Sequence, residues 1–405
     1  QNLSNMNTAG YTRQQLEASS LNYTNPVSHY SNGNETAVGF GVSMDRVSQI
    51  RDPYLDIQYR SQSADCSYTN RLQTALNSLS KVLDETTISG IRQAFDDVLS
   101  TLTSMQDPAK VSDPIYESEL RTKMQSVCNL FNQASRQITQ AEQNEFQRLT
   151  GEGSSEQGDV QKINDILRQI GDLNVQIKRN QVAGHPSLEL QDKRNLLLDE
   201  LSGYIPVETR YYKDDAHSGN NAYDHDANGA VIGKKDWPDD LEVSMNYIDA
   251  KGKSQKLILV NGSDLGADGL TKNYGQLSVL KGDHQTAASV SDPANISIKF
   301  EKAPSYKGNG QAATNNVYAE LKGIRFEGGS LQASLDMLQK TGTGNVINGS
   351  TAVDDVRGYQ YYSGKLDQLA STFAKSMNDI NNGKKHTDKN LLSNSTNDSR
   401  TGITA

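Results

Sequence analysis

Apolar residues recur at alternating steps of three and four over long stretches of this chain, a spacing that keeps them on one face of a helix. From Asp52 onward Leu72, Leu76, Leu79 and Leu83 follow that spacing. Asp52 is suited to cap free amides and Pro53 to occupy the first helical position, so a long helix is predicted from there. Ile91, Phe95, Val98, Leu102 and Met105 define a second helix, which Asp107-Pro108 should end. A third opens at Asp113-Pro114 and carries Leu120, Met124, Val127, Phe131, Ala134, Ile138 and Ala141 on the same face. Seams this regular need partner helices to cover them.

Three glycines between Gly151 and Gly158 interrupt the rhythm and predict a break or bend. It resumes with Ile163, Ile166, Ile170, Leu173 and Ile177, turns at Gly184-His185-Pro186, and continues from Leu190 to Leu201. From about Pro206 to Phe326 the period becomes two. Val243, Met245 and Tyr247 alternate with polar residues, Lys251-Gly252 supplies a turn, Leu257 to Val260 returns, and Ile296, Ile298 and Phe300 alternate later. The helical period comes back with Leu331, Leu335 and Leu338, then with Tyr362, Leu366, Leu369, Phe373 and Ile380. The predicted fold is α+β: an elongated helical shaft built from residues 1–205 and 327–405, with an inserted β-rich domain at 206–326. The ends of such an insertion must lie near each other.

Composition favours a rod over a compact body. Apolar residues are 35% of the 405, aromatics 6%, mean hydropathy is -0.68, and 18 Tyr outnumber 7 Phe and 1 Trp. Narrow apolar seams with wide solvated faces are the way such a chain folds. A net charge of -9 without a Lys/Arg block argues against nucleic acid as a partner. The longest aliphatic run, about Leu257 to Val260, is far shorter than the ~20 residues of a membrane span, so no membrane partner is expected. No basic stretch followed by an apolar one opens the chain, so no cleaved secretory signal is expected.

Three segments carry a resemblance. Asn2-Leu3-Ser4-Asn5-Met6-Asn7-Thr8-Ala9-Gly10-Tyr11-Thr12-Arg13-Gln14, read as the tail of an amphipathic helix with Leu3 and Met6 on one face, resembles the signature after the first helix of bacterial flagellar axial proteins. Its Gly-Tyr-x-Arg-Gln ending is similar to that of the hook-associated protein 1 family, the first hook–filament junction proteins. Leu190-Gln191-Asp192-Lys193-Arg194-Asn195-Leu196-Leu197-Leu198-Asp199-Glu200-Leu201-Ser202 resembles a second family segment, departing at Asn195 where Asp is usual. Gly328-Gly329-x-Leu331, and Arg357-Gly358-Tyr359 running through Leu366, Phe373 and Met377 to Asn381, resemble the family's return helices. The stretch Lys340 to Asp354 is longer than the connection expected there.

The resemblance implies a structural subunit of the bacterial flagellum, an adaptor ring joining hook to filament. It implies the hook protein and the second junction protein as partners, self-association in a ring when full length, and an export chaperone acting through a C-terminal region missing here. It also implies an extracellular location, reached through the flagellar type III export apparatus. The chain starts inside the first signature and ends in the polar stretch Ser393 to Ala405, so as given it is expected to lack most of both terminal helices and to be monomeric. No active site, cofactor or metal-binding residue is predicted. The residues expected to matter are packing residues: Leu72, Leu76 and Leu79; Phe95, Val98 and Leu102; Ile166, Ile170 and Leu173; Leu366, Leu369 and Phe373.

Alternative chemistry was weighed at few places. Asp224-His225-Asp226-Ala227-Asn228-Gly229 fits the opening of a calcium loop, but Lys235 stands where the bidentate carboxylate belongs, and Asn228-Gly229 explains the same residues as a tight turn. His217 and His225 with Asp214, Asp215 and Asp226 could in principle form a metal cluster, but a polar loop of this composition is more often solvated, and the solvated loop is favoured. Gly308 to Ala313 is a loose glycine match better read as a linker. Tyr359, Tyr361 and Tyr362 suit helix packing more than a binding platform. Cys66 and Cys128 sit in separate helical stretches; reduced thiols are favoured, and a disulfide would need adjacent helices in register. The rival class is an extracellular metal- or glycan-binding module, or an enzyme, using the acidic loop Asp214 to Asp240 on a helical stalk. Within the structural class the rivals are the second junction protein and flagellin.

Overall fold

The computed structural model describes residues 2–20, 42–83, 90–111, 113–183, 185, 187–212, 223–225, 231–234, 240–249, 251–263, 272–303, 317–319, 326, 328–342, 345–347, 350–352 and 356–381. In chain order they form β1 (Gln14–Ser20), β2 (Val42–Gln49), α1 (Pro53–Leu83), α2 (Ile91–Ser104), a one-turn α3 (Pro108–Val111), α4 (Pro114–Thr150), α5 (Asp159–Val182) and α6 (Leu188–Tyr204). Then come β3 (Glu208–Tyr212), β4 (Tyr223–His225), β5 (Val231–Lys234), β6 (Asp240–Ile248), β7 (Ser254–Asn261), β8 (Gln276–Lys281), β9 (Ile296–Glu301) and β10 (Val317–Ala319). The chain returns through α7 (Ser330–Gln339), β11 (Asn345–Ile347), β12 (Ser350–Ala352) and α8 (Tyr359–Asn381). The fold is α+β.

Local chemistry sets the helix ends. The Asp113 carboxylate accepts the Ile115 amide at 2.9 Å and Pro114 follows, starting the 37-residue α4, about 55 Å long. It stops at Gly151, whose φ of 76° closes a left-handed cap. The chain then doubles back so tightly that a Cβ on Gly158 would lie 2.3 Å from the Thr150 carbonyl carbon, which requires glycine there.

Packing follows the predicted seams with a phase change in two helices. Val127, Phe131, Ala134 and Ile138 of α4 are buried with Val98 of α2 and Leu366 and Ala370 of α8. The Phe95 ring stands edge-on to Phe131 and Phe373, with centroids 6.0 and 4.9 Å away. Leu76 and Leu369, expected in the seam, are 39% and 46% exposed. In α1 the buried line runs through Ala64, Ala75 and Leu79, one residue out of phase with Leu76, because small side chains let α6 and α7 approach closely. In α8 the buried line runs from Tyr359 through Leu366, Ala370 and Ala374 to Asn378, one position away from Leu369.

The strands pair antiparallel throughout, in sheets ordered β3-β6-β7 and β10-β9-β8 and in the ribbons β1-β2, β4-β5 and β11-β12. Val243, Met245, Ile296, Ile298 and Phe300 are buried as their alternation predicts. Gly252, at φ 75°, makes the turn between β6 and β7. One connected apolar core runs from α2 and α4 through α5 into β6, β7 and β9.

Asp214, Asp215, His217, Asp226 to Gly229, Lys235, Gly308 to Ala313 and Ser393 to Ala405 lie outside the described residues. Cys66 on α1 is exposed, Cys128 on α4 is partly buried, and both are free thiols. Among the described residues no helix is long and apolar enough to cross a membrane.

Candidate functional site: a docked turn and a polar joint

The first signature forms a turn rather than a helix end. Asn2 receives the Gln14 amide on its Oδ1 at 3.0 Å and donates Nδ2 to the Gln14 carbonyl at 2.9 Å, while the Tyr11 hydroxyl reaches the same Oδ1. These bonds compete with helix formation, and Leu3 and Met6, expected on an apolar face, are 90% and 76% exposed. The turn lies against the second signature. Gly10, at φ 76°, packs so near Leu196 that an added Cβ would meet it at 3.3 Å, and the Thr12 amide donates to Asp192 at 3.2 Å.

Arg51 ties this region to two helices. Its Nε meets Asp56 of α1 at 2.5 Å, Nη2 lies 3.7 Å from Asp199 of α6, and Nη1 donates to the Thr12 hydroxyl at 3.5 Å. Burial alone would lower the Arg51 pKa; the Asp56 hydrogen bond and the fields of Asp56, Asp199 and Asp192 outweigh it and raise it. Asp199 also accepts Nε of the buried Arg60 at 2.8 Å.

The third signature meets the same helices from the other side. Gly329 donates its amide to Ala64 at 2.9 Å and, at φ 85°, passes so near α6 that a Cβ would lie 2.3 Å from the Tyr204 carbonyl oxygen. Every side chain from Leu331 to Gln339 is buried. Asp336 on α7 accepts the Tyr68 hydroxyl and Gln332 Nε2, each at 2.8 Å, and pairs with Lys340 at 3.3 Å. Alongside, Arg71 of α1 makes a two-pronged bond to Glu145 of α4. Arg148 reaches Glu145 at 3.5 Å, Asp159 of α5 at 3.4 Å and the Ser334 hydroxyl at 3.2 Å. Gln360 of α8 donates to Glu142 at 2.7 Å. Burial raises the pKa values of Glu142 and Asp159; Gln360 partly offsets this for Glu142, and Arg71 and Lys162 for Asp159. Tyr359, buried at the start of α8, is raised by burial and by the Glu145 carboxylate.

A second polar seam joins α5 to the strands. Asn164 exchanges two hydrogen bonds with the Leu277 backbone. Asn174 donates to the Leu241 and Gly262 carbonyls at 3.1 and 3.2 Å and accepts Arg194 Nη1 at 2.9 Å. Asn273 donates to the Gly171 carbonyl at 3.0 Å, an approach only a glycine permits, since a Cβ there would lie 2.5 Å from Asn273 Oδ1. Lys178 pairs with the buried Asp240 at 3.3 Å.

This arrangement locks helices and strands in register through buried ion pairs and hydrogen bonds. Sequence reading missed Arg71, Glu142, Glu145, Asp336, Asn164 and Asn174. A signal for two of them exists: the α4 seam continues in steps of 4, 3 and 4 from Ile138 through Glu142 and Glu145 to Leu149, placing carboxylates at core positions. Tyr359 packs in the core, and the Tyr361 and Tyr362 rings stand edge to face at 5.3 Å.

Comparison with known proteins places the chain. The Flagellar hook-associated protein 1 of Bacillus subtilis strain 168 is 32% identical over 221 residues, which is 55% of this chain and 41% of that protein. The Flagellar hook-associated protein 1 of Salmonella typhimurium strain LT2 is 28% identical over 211 residues, 51% of this chain and 35% of that protein. The chain thus spans less than half the length of these curated relatives. A solved structure of the flagellar hook junction protein FlgK from Burkholderia pseudomallei overlays 81% of this chain and 43% of its own at a TM-score of 0.49 and 19% identity. The sequence profile described as the Flagellar hook-associated protein FlgK helical domain matches residues 76–391, most of the sequence, and the chain belongs to that family.

Proposed function

We propose that this chain is part of a structural subunit that joins the flagellar hook to the filament, working as an adaptor ring in an extracellular appendage and catalysing no reaction. The observation that carries the reading is the convergence of its separated signature segments: residues 2–14 and Gly328-Gly329 both pack against α6, while Arg51 links Thr12 of the first to Asp56 of α1 and Gly329 bonds Ala64 of α1. A subunit under mechanical load needs its ends cross-linked in this way, and ionic bonds buried between four helices resist slippage better than exposed ones. The hook protein, the second junction protein and neighbouring copies are the proposed partners, with a chaperone for export.

We also propose that residues 206–326 are an inserted unit carried by 1–205 and 327–405. Its support is that the chain leaves the helices after Tyr204 and returns at Gly329, which lies against Tyr204.

The test of the main reading places this chain in the matching stretch of a full-length hook-associated protein 1 and adds the purified product to isolated hooks. Gold-labelled protein is expected at the distal hook tip in electron micrographs. Folded product that stays in solution, or that coats the hook along its length, contradicts the reading.

A further inference from the structure

The β1-β2 ribbon meets the helices without joining the apolar core. Leu16, Val42, Met44 and Val47 are 49%, 66%, 76% and 37% exposed, and no described residue before Pro53 joins the apolar core. Among the described residues its hold on the shaft is mainly polar, through Thr12 to Asp192, Gln49 Nε2 to the Leu188 carbonyl at 2.9 Å and the Arg51 guanidinium, with Gly10 against Leu196 beside them. Such contacts open at much lower cost than a packed seam. Inside the module β1 and β2 pair from Gln14–Gln49 to Ser20–Val42 with a register shift between Glu17 and Ala18, Ile50 donates to Arg13 at 2.9 Å, and Asn2 clamps Gln14. Among the described residues the turn and the ribbon thus form one hydrogen-bonded piece that runs into α1 through Ile50, Arg51 and Asp52.

We propose that Arg51 is a latch: its guanidinium holds the turn and ribbon at a fixed angle to the shaft, and opening that contact lets the piece swing as a unit about residues 50–52. Three properties suit Arg51 to this role. It sits at the pivot itself. It spans three separate segments at once, through Asp56 of α1, Asp199 of α6 and Thr12 of the turn. It is about a quarter exposed, as are both carboxylates, so salt and competing charges reach it, whereas Arg60, on the other oxygen of Asp199, is buried and stays paired. A planar fork is needed to reach partners in different directions, which a lysine cannot supply.

The test uses the full chain with Cys66→Ser and Cys128→Ala, spin-labelled at two introduced cysteines, Met44→Cys on the ribbon and Glu200→Cys on α6, both exposed. A control pair, Leu99→Cys on α2 with Glu200→Cys, reports the shaft alone. Arg51→Gln is expected to broaden the ribbon distance distribution, leave the control unchanged, and speed amide exchange at Thr12, bonded across to Asp192, about tenfold while leaving Ile50, bonded to Arg13 inside the piece, unchanged. Arg51→Lys should give an intermediate width. Raising salt to about 1 M, where the screening length is about 3 Å, should broaden the distribution of the Arg51 chain toward that of Arg51→Gln. The salt series tests the latch even if a substituted chain misfolds. A ribbon distance as narrow in Arg51→Gln as in the parent, a width insensitive to salt, or equal broadening of the control pair would each overturn it.

Discussion

Asn164 of α5 holds the backbone of Leu277 with two hydrogen bonds, donating Nδ2 to its carbonyl at 2.8 Å and accepting its amide at 2.7 Å. β8 is the edge of its sheet, so this side chain stands where another strand would pair and closes that edge. Asn164→Leu should leave both Leu277 groups unpaired and cost about 1–3 kcal/mol. Urea midpoints measure it, and a loss no larger than that of an exposed substitution contradicts the assignment.

The Arg71–Glu145 bond predicts a larger effect. Glu145→Ala removes the carboxylate that answers both Arg71 and Arg148 in a buried setting, and should cost about 3–5 kcal/mol. Arg121→Ala, which breaks the exposed pair with Glu117, should change stability by less than about 1 kcal/mol. Equal unfolding midpoints for the two variants are not compatible with a buried joint.

Two glycines predict opposite signs. Gly329→Ala forces a Cβ onto the Tyr204 carbonyl at a positive φ and should destabilise by more than about 2 kcal/mol. Gly364, exposed within α8 with no atom within 4 Å of its added Cβ, should stabilise by about 0.5–1 kcal/mol when changed to Ala. Thermal melts of the pair decide it.

Glu142 supplies a pH dependence. Burial raises its pKa in the folded chain, so the folded state binds the proton more tightly than the unfolded state does. The contribution of this group to stability is therefore full below the unfolded carboxylate pKa and falls as pH rises through the folded value. Glu142→Gln keeps an acceptor for Gln360 without a charge, and its melting temperature should exceed the parent's at pH 7 by a margin that shrinks toward pH 4. A margin that grows on acidification contradicts the sign.

The proposed insertion has its own test. Replacing residues 206–326 by a short Gly/Ser linker should leave a cooperative helical melt, though a less stable one, because Ile170, Leu173 and Asn174 of α5 lose the strands that cover them. A non-cooperative loss of helical signal rejects the insertion.

Much of this architecture was legible in the sequence. The steps of three and four located the helices because apolar side chains there face other helices, and the switch to a period of two located β6 and β9. The joint was not legible for the opposite reason. Glu145, Asp336 and Asn174 look like solvent-facing residues in a pattern read only for apolar positions, and their partners Arg71, Tyr68 and Arg194 lie on other helices whose contact no local period specifies. The β1-β2 ribbon was missed because its apolar residues are exposed and leave no buried stripe, and Leu76 was misplaced because α1 packs through alanines one position away.

The joined signature segments are proposed to make this chain a connector between hook and filament. The most direct measurement of that role is the fraction of hooks bearing filaments in a strain lacking its own first junction protein, supplied with the full-length chimera described above. The parent chimera and Arg121→Ala should restore filaments, and Glu145→Ala, exported but unable to hold the joint, should leave hooks bare. Bare hooks with the parent chimera, or full filaments with Glu145→Ala, would contradict the account.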